Sequence, residues 1–270
     1  MERYIQGTKI YYEEYGTGKP LLCIHGFPED HTVLSRCLEP IFQNKKGVRR
    51  IYIDLPGMGQ SPASKQIQNA DNMLHILKVF ICEIIGDENF LLAGQSYGGY
   101  MSLGLLFELK ERIDGLFLLC PCTVAEREKR VLPPKQTLVK DSRLVSRYSE
   151  NKDFQEFMEF AVLITENTWD RYRNEILPGL QSADTAFTEQ YQSTGYSFSF
   201  RDEMEKMKFD NPTCALTGRQ DDCVGYMDTF QLMQNFSRST FAIVDRAGHN
   251  LQIESPGLFK SHFEAWILQF

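Results

Sequence analysis

At 270 residues the chain is long enough for one α/β-sized core carrying an insertion, and 42% hydrophobic content is ordinary for a globular protein. A net charge of -7 argues against nucleic acid as a partner, since phosphate binding needs a basic face. No apolar run approaches membrane-spanning length and residues 1–7 lack a signal-peptide core, so no membrane association and a cytoplasmic location are expected.

Segment 4–15 alternates, is rich in aromatic and β-branched residues, and carries Gly7 near its middle, which predicts an antiparallel hairpin. The continuous apolar run 21–24 suits a strand buried on both faces of a parallel sheet, and it ends in His25, Gly26, Phe27 and Pro28. A second buried strand, 50–53, ends at Asp54 in a loop whose Pro56, Gly57 and Gly59 enforce turns. Asp54 reads as a brace for that loop, because a better placed acid follows later. Met73, Leu74, Leu77, Phe80, Ile81 and Ile84 recur at helical spacing, with Asp71 or Asn72 placed to cap the helix.

The run 90–93 then leads through Gly94, Gln95, Ser96, Tyr97 and Gly98 into a helix containing Leu103, Leu105 and Leu106. A serine on a sharp strand-to-helix turn takes a strained backbone conformation, so the residues two before and two after it must be nearly free of side chain. Gly94 and Gly98 meet that demand, and the helix N-terminus behind Ser96 favours a developing negative charge. Residues 115–119 form the next buried strand, and this strand–helix alternation implies a parallel sheet with helices on both faces.

Between residues 123 and 208 the rhythm fails. No buried apolar strand is expected there; helical segments appear instead, with Phe154, Phe157 and Phe160 on one face and Trp169 and Tyr172 on the next. Such an insertion fits a lid, so the expected domains are a core of 1–122 and 209–270 and a helical cap of 123–208. Its aromatics either pack the lid on the core or face a substrate. The sheet resumes at 213–217 and again at 240–244, followed by loops containing Asp221, Asp222 and His249. Ser255 and Pro256 then open a last helix whose expected buried stripe is Leu258, Phe259, His262, Phe263, Trp266 and Ile267.

Of the seven cysteines, Cys23, Cys82 and Cys120 sit within apolar strands or helices, where a reduced thiol acts as a small hydrophobe, so no disulfide is expected. Cys120 and Cys122 lack the spacing of a zinc site, and neither a metal nor another cofactor is expected.

Ser96, an aspartate and His249 thus stand, in that chain order, at the carboxyl ends of predicted parallel strands. A serine hydroxyl is a poor nucleophile at neutral pH; it needs an imidazole to take its proton, and the imidazole needs a buried carboxylate to fix its tautomer. Of the five histidines, only His249 lies on a loop after the last strand, beside Gly248. Asp221 and Asp222 both qualify as the acid, but adjacent side chains diverge and only one can address the ring.

The segments HGFPED, DLPGMGQS, GQSYGG, GRQDDCVGY and AGHNLQIESP resemble, in order and spacing, the α/β-hydrolase superfamily of lidded esterases, carbon–carbon bond hydrolases and epoxide hydrolases. The resemblance covers nearly the whole chain outside 123–208. It implies an α/β-hydrolase fold: a mostly parallel central sheet flanked by helices, with the cap inserted after strand 6. It further implies that Asp221, three residues after Gly218, is the acid, and that the backbone N–H groups of Phe27 and Tyr97 form an oxyanion hole. Epoxide hydrolases and haloalkane dehalogenases use an aspartate nucleophile, so Ser96 redirects the expectation to acyl transfer. The implied function is a serine hydrolase of esters or related acyl bonds of a small molecule. The alternatives are a carbon–carbon hydrolase of vinylogous diketones, whose carboxylates call for one of Arg127, Arg130, Arg143, Arg147, Arg171 or Arg173, and a ligand-binding protein on the same scaffold.

Overall fold

The structure, a computed structural model, describes residues 1–43 and 45–270. The hairpin forms as expected, β1 (Glu2–Ile5) pairing antiparallel with β2 (Thr8–Tyr15) across Gly7, whose φ is 84°. Next come β3 (Gly18–Ile24), α1 (Thr32–Phe42), β4 (Gly47–Ile53), α2 (Ala70–Ile84), β5 (Phe90–Gln95), α3 (Tyr97–Leu109) and β6 (Ile113–Leu119). The chain then leaves the main sheet through β7 (Val139–Lys140), α4 (Ser142–Arg147), α5 (Lys152–Phe160) and β8 (Leu163–Ile164). It continues through α6 (Glu166–Glu175), α7 (Leu177–Ser182), α8 (Thr185–Thr194) and α9 (Arg201–Met204). It returns as β9 (Thr213–Gly218), α10 (Met227–Met233), β10 (Ser239–Val244), α11 (Leu251–Glu254) and α12 (Pro256–Ile267).

The main sheet has eight strands in the order β1-β2-β4-β3-β5-β6-β9-β10, parallel from β4 onward. The central strands β5, β6 and β9 are buried nearly throughout because helices cover both faces, which is why they read as unbroken apolar runs. Edge strand β10 is mixed instead, with Ile243 exposed. Ile24 pairs with Gly94, Gln95 with Leu119, Leu119 with Leu216, and Gly218 with Val244. The strand ends are therefore level, and the loops after β3, β5, β9 and β10 emerge side by side at the carboxyl edge, where open α/β sheets place their ligands.

Several local expectations are corrected. Helix α2 is capped by Asn69, whose extended backbone lets its side chain accept from Asn72 N, while Asp71 accepts from Ser199 N of the segment preceding α9. Ser255 makes no side-chain cap bond, and the buried stripe of α12 is Phe259, Phe263, Trp266 and Ile267; Leu258 is exposed and His262 bonds Leu258 O on the outer face. Cys82 is exposed, unlike Cys23 and Cys120. The excursion from the sheet does contain a buried strand: Leu163 and Ile164 pair in parallel with Val139 and Lys140, a ladder too short to leave a periodicity. Phe154, Phe157, Trp169 and Tyr172 pack on one another at ring separations of 5.0–5.9 Å, whereas Phe160 is half exposed. Among the described residues no helix is long and apolar enough to cross a membrane.

Helix α12 is fastened beneath the sheet by Phe117 of β6, whose ring meets Phe263 edge-on at 5.0 Å and Trp266 at 5.5 Å, while Trp266 Nε1 donates to Pro212 O. Phe117→Ala would leave a cavity in this aromatic layer. It is expected to cost about 3–5 kcal/mol, read as a fall of roughly 10 °C in Tm by thermal denaturation, with Phe117→Leu losing much less.

Candidate active site

Strand β5 passes into α3 through Ser96, whose φ of 52° and ψ of -119° put a non-glycine residue in a region costing about 1–3 kcal/mol. The surroundings impose this backbone. A methyl group on Gly94 would collide with Gly98 O and Ser102 Oγ, and one on Gly98 with the carbonyls of Ile24 and His25, so both positions exclude a side chain. Ser96 N donates to Leu119 O, and Ser96 O accepts from Gly99 N and Cys122 N at 2.9 and 2.8 Å. The turn is thereby tied to β3, β6 and α3 at once.

Above it, His249 Nε2 lies 2.9 Å from Ser96 Oγ and Nδ1 lies 3.0 Å from Asp221 Oδ2. Asp221 is fully buried, and its Oδ1 accepts from Cys223 N at 2.9 Å and Val224 N at 3.0 Å. Those two amides fix the carboxylate's rotation, so that Asp221, of the two neighbours, reaches the ring. Burial disfavours a charged imidazole, but the electronegative surroundings of Cys223, Asp221 and Glu29 outweigh it and hold His249 above its ordinary range.

The remaining histidines are engaged elsewhere. His25, driven toward the neutral form by burial, bonds Gly26 O through Nδ1 at 2.6 Å and accepts from Leu55 N at Nε2. His31 donates from its backbone N and pairs through Nδ1 with Asp54 Oδ1, both at 2.8 Å, and Asp54 Oδ2 accepts from Gln60 N. Asp54 is thus the brace of its loop. His75 meets Gln6 Oε1.

Phe27 and Tyr97 are adjacent, their rings 5.7 Å apart and edge-on. Tyr97 is the first residue of α3, so its N–H has no acceptor one turn back. Tyr97 also stacks on Tyr196 at 4.0 Å and shares a 2.8 Å hydroxyl bond with Tyr191, which joins α3 to the excursion between β6 and β9. Between that excursion and the strand ends lies a cavity of about 670 Å³ lined by Ser96, His249, Phe27, Glu29, Phe160 and Tyr172 among others, a volume suited to a small molecule. The aromatic residues therefore divide: Phe154, Phe157 and Trp169 pack, Phe160 reaches the cavity, and Tyr172 does both. Among the described residues no three His, Cys, Asp or Glu side chains are grouped to hold a metal ion.

Sequence reasoning assigned no part to Glu254. Its Oε2 accepts from Gly248 N at 2.6 Å, and its Oε1 accepts from Val162 N at 2.6 Å and Leu163 N at 3.2 Å. One carboxylate thus ties the His249 loop to β8. Burial lifts Glu254 to about 7 against the pull of these three amide donors. Its only sequence signal is its place in the segment after His249; a helix of four residues gives no hint that it turns inward. Glu254→Ala, which strands three buried N–H groups, is expected to cost about 2–3 kcal/mol or more and to lower any His249-dependent rate about ten-fold. Glu254→Gln, keeping one acceptor oxygen, should lose less; thermal denaturation and steady-state kinetics on the two variants check both effects.

The family described as alpha/beta hydrolase fold matches residues 19–256. An alpha/beta superfamily hydrolase from Oenococcus oeni PSU-1 superposes with a TM-score of 0.91 at 33% identity, covering 99% of this chain and 98% of that one. An esterase from Exiguobacterium antarcticum superposes with a TM-score of 0.75 at 20% identity over 99% and 98% of the two chains, a likeness of fold. A 2-hydroxymuconate semialdehyde hydrolase from Pseudomonas putida is 24% identical over 97% of this chain and 92% of its own. The family match spans most of the chain and the level parallel sheet is its expected architecture: the chain belongs to the α/β-hydrolase fold family and is a hydrolase.

Proposed function

We propose that the protein is a serine hydrolase that cleaves an ester or related acyl bond of a small molecule through an acyl-enzyme. The observation that carries this reading is the unbroken relay from Ser96 Oγ through His249 to buried Asp221, with both links at 2.9–3.0 Å. In the proposed mechanism Ser96 Oγ attacks the carbonyl carbon while His249 Nε2 takes its proton, and Asp221 holds the Nδ1–H side of the ring and stabilises the imidazolium. The tetrahedral oxyanion lies between the N–H groups of Phe27 and Tyr97, aided by the positive end of α3. The imidazolium then returns its proton to the departing alcohol. Water attacks the acyl-enzyme, loses its proton to His249, and Ser96 leaves with the proton restored. Segment 123–208 serves as the cap over this site in the same reading, and 1–122 with 209–270 as the core.

Carbon–carbon cleavage would use the same relay, and the likeness to the Pseudomonas putida enzyme favours testing it. Against it stands the state of the arginines. Arg130 lines the cavity but spends its guanidinium on the carbonyls of Val124, Ala125 and Cys223. Arg171 is held by Glu175 and Gln252 O, Arg147 by Glu166, and Arg173 by Asp170. Arg127, the other arginine of the cavity lining, is exposed and among the described residues bonds Asp222 O at 3.4 Å.

Short p-nitrophenyl esters and a vinylogous diketone should be assayed side by side on wild type, Ser96→Ala and Asp221→Asn. Ester turnover is expected, falling by about 10⁴-fold or more in each variant while Tm stays essentially unchanged. A folded Ser96→Ala protein of wild-type activity would overturn the mechanism; turnover of the diketone alone would shift the reaction to carbon–carbon cleavage.

A further inference from the structure

The turn that follows β3 carries a second carboxyl toward the nucleophile. Glu29 N donates to Gly26 O, and this tight turn folds the Glu29 side chain back beside Gly26. A methyl group at Gly26 would lie 2.6 Å from Glu29 Oε2 and 2.9 Å from Ser96 Cβ, so the carboxyl and the nucleophile flank the same glycine. From the other side α7 closes in: a methyl at Gly179 would meet Asp30 N at 2.5 Å, which lets the excursion pack directly on the Glu29–Asp30 backbone.

Glu29 is 6% exposed and lines the cavity with Ser96 and His249, yet its Oε2 has no hydrogen-bond partner among the described residues. Gln95, wholly buried behind it and outside the cavity lining, turns its amide toward the same carboxyl, though neither amide atom reaches hydrogen-bond geometry among the described residues. Buried polar atoms are almost always bonded, and an unpaired carboxyl oxygen costs more than an unpaired amide. Of these residues Glu29 is the one on the cavity lining, so its carboxyl beside the nucleophile marks the place where a bound molecule can supply a partner. The surrounding charges agree with a site that welcomes donors. Burial raises the Glu29 carboxyl to about 7 against the pull of His249, the Gly26 backbone and the Gln95 side chain, while Asp30 pushes it up; its charge is felt by Tyr172 of α6. Arg130, a half-buried cation on the cavity lining, is turned to backbone carbonyls and does not answer it.

We propose that Glu29, with Gln95 behind it, forms a specificity-determining subsite that takes a hydrogen-bond donor of the substrate, a hydroxyl or an ammonium group, carried close to the scissile carbonyl. This assignment deepens the acyl-hydrolase reading and rests on it for the identity of the scissile bond. A site built around an unpaired carboxyl rewards a substrate that brings a donor and leaves itself unsatisfied with one that does not.

The test is a set of esters similar in size: ethyl propanoate as the plain ester, ethyl lactate and ethyl alaninate with the donor on the acyl side, and 2-hydroxyethyl propanoate with it on the alcohol side. Wild type is expected to prefer at least one donor-bearing ester over the plain one by about ten-fold or more in kcat/KM, with Glu29→Leu collapsing that ratio toward unity. Glu29→Gln should keep a preference for a hydroxyl and lose one for an ammonium, which separates the two donors. A ratio near unity in wild type, or one that Glu29→Leu leaves intact, overturns the subsite while the hydrolase reading stands. Binding of lactamide, alaninamide and propanamide to Ser96→Ala, with and without Glu29→Leu, gives a readout without turnover. Glu29-dependent preference for a donor-bearing amide in a protein that hydrolyses no ester would sustain the subsite and overturn the acyl-hydrolase reading; equal binding of all three amides would overturn the subsite.

Discussion

The positive φ of Ser96 is the constraint on which the rest of the site depends. A strand that entered its helix through a relaxed turn would bury the serine hydroxyl against the sheet. Here the backbone is forced out of its preferred region and the hydroxyl stands at the carboxyl edge. The strain persists because Gly98 lets α3 approach the end of β3 to backbone contact and Gly94 lets it approach β5, and because Leu119 O, Gly99 N and Cys122 N hold the peptide groups around it. The same close approach puts Tyr97 at the first helical position, beside Phe27. One local distortion thus sets both where the proposed nucleophile points and which amide stands behind it.

Everything else at the site is a matter of bringing distant loops to that point without strain. Level strand ends deliver the Asp221 and His249 loops to the same edge, and two amides of the Asp221 loop aim its carboxylate independently of His249. Glu254 performs the matching task for the His249 loop, but does so by bonding to β8, outside the main sheet. The aromatic contacts of Tyr97 with Tyr191 and Tyr196 make a second tie between the two parts. Segment 123–208 is therefore coupled to the relay at both the histidine and the serine. In the proposed mechanism, motion of the cap would be felt at both groups.

What the sequence discloses and what it withholds follow from the range of the forces involved. The central strands are legible because burial on both faces leaves unbroken apolar runs, and Ser96 and His249 because each stands where a strand pattern breaks at glycine. Asp221 is favoured over Asp222 in the sequence only through the family resemblance; the physical reason, the amides of Cys223 and Val224 that aim its carboxylate, is a detail of loop conformation that two adjacent identical side chains cannot encode. The Asn69 cap and the Leu163–Ile164 ladder are missed because one side-chain bond or two residues make no period. Six arginines look alike in the sequence; only tertiary structure shows Arg130 committed to three carbonyls. Glu29 and Glu254 are the same case, two carboxyls in familiar-looking segments whose significance lies wholly in which partners the fold supplies or denies them.

The most direct measurement is covalent labelling of the native protein with a fluorophosphonate, followed by intact mass and peptide mapping. The account predicts one adduct per chain, on Ser96, formed rapidly and abolished in Ser96→Ala. A folded, unlabelled wild-type protein, or an adduct on any other residue, would contradict the claim that Ser96 is an activated nucleophile.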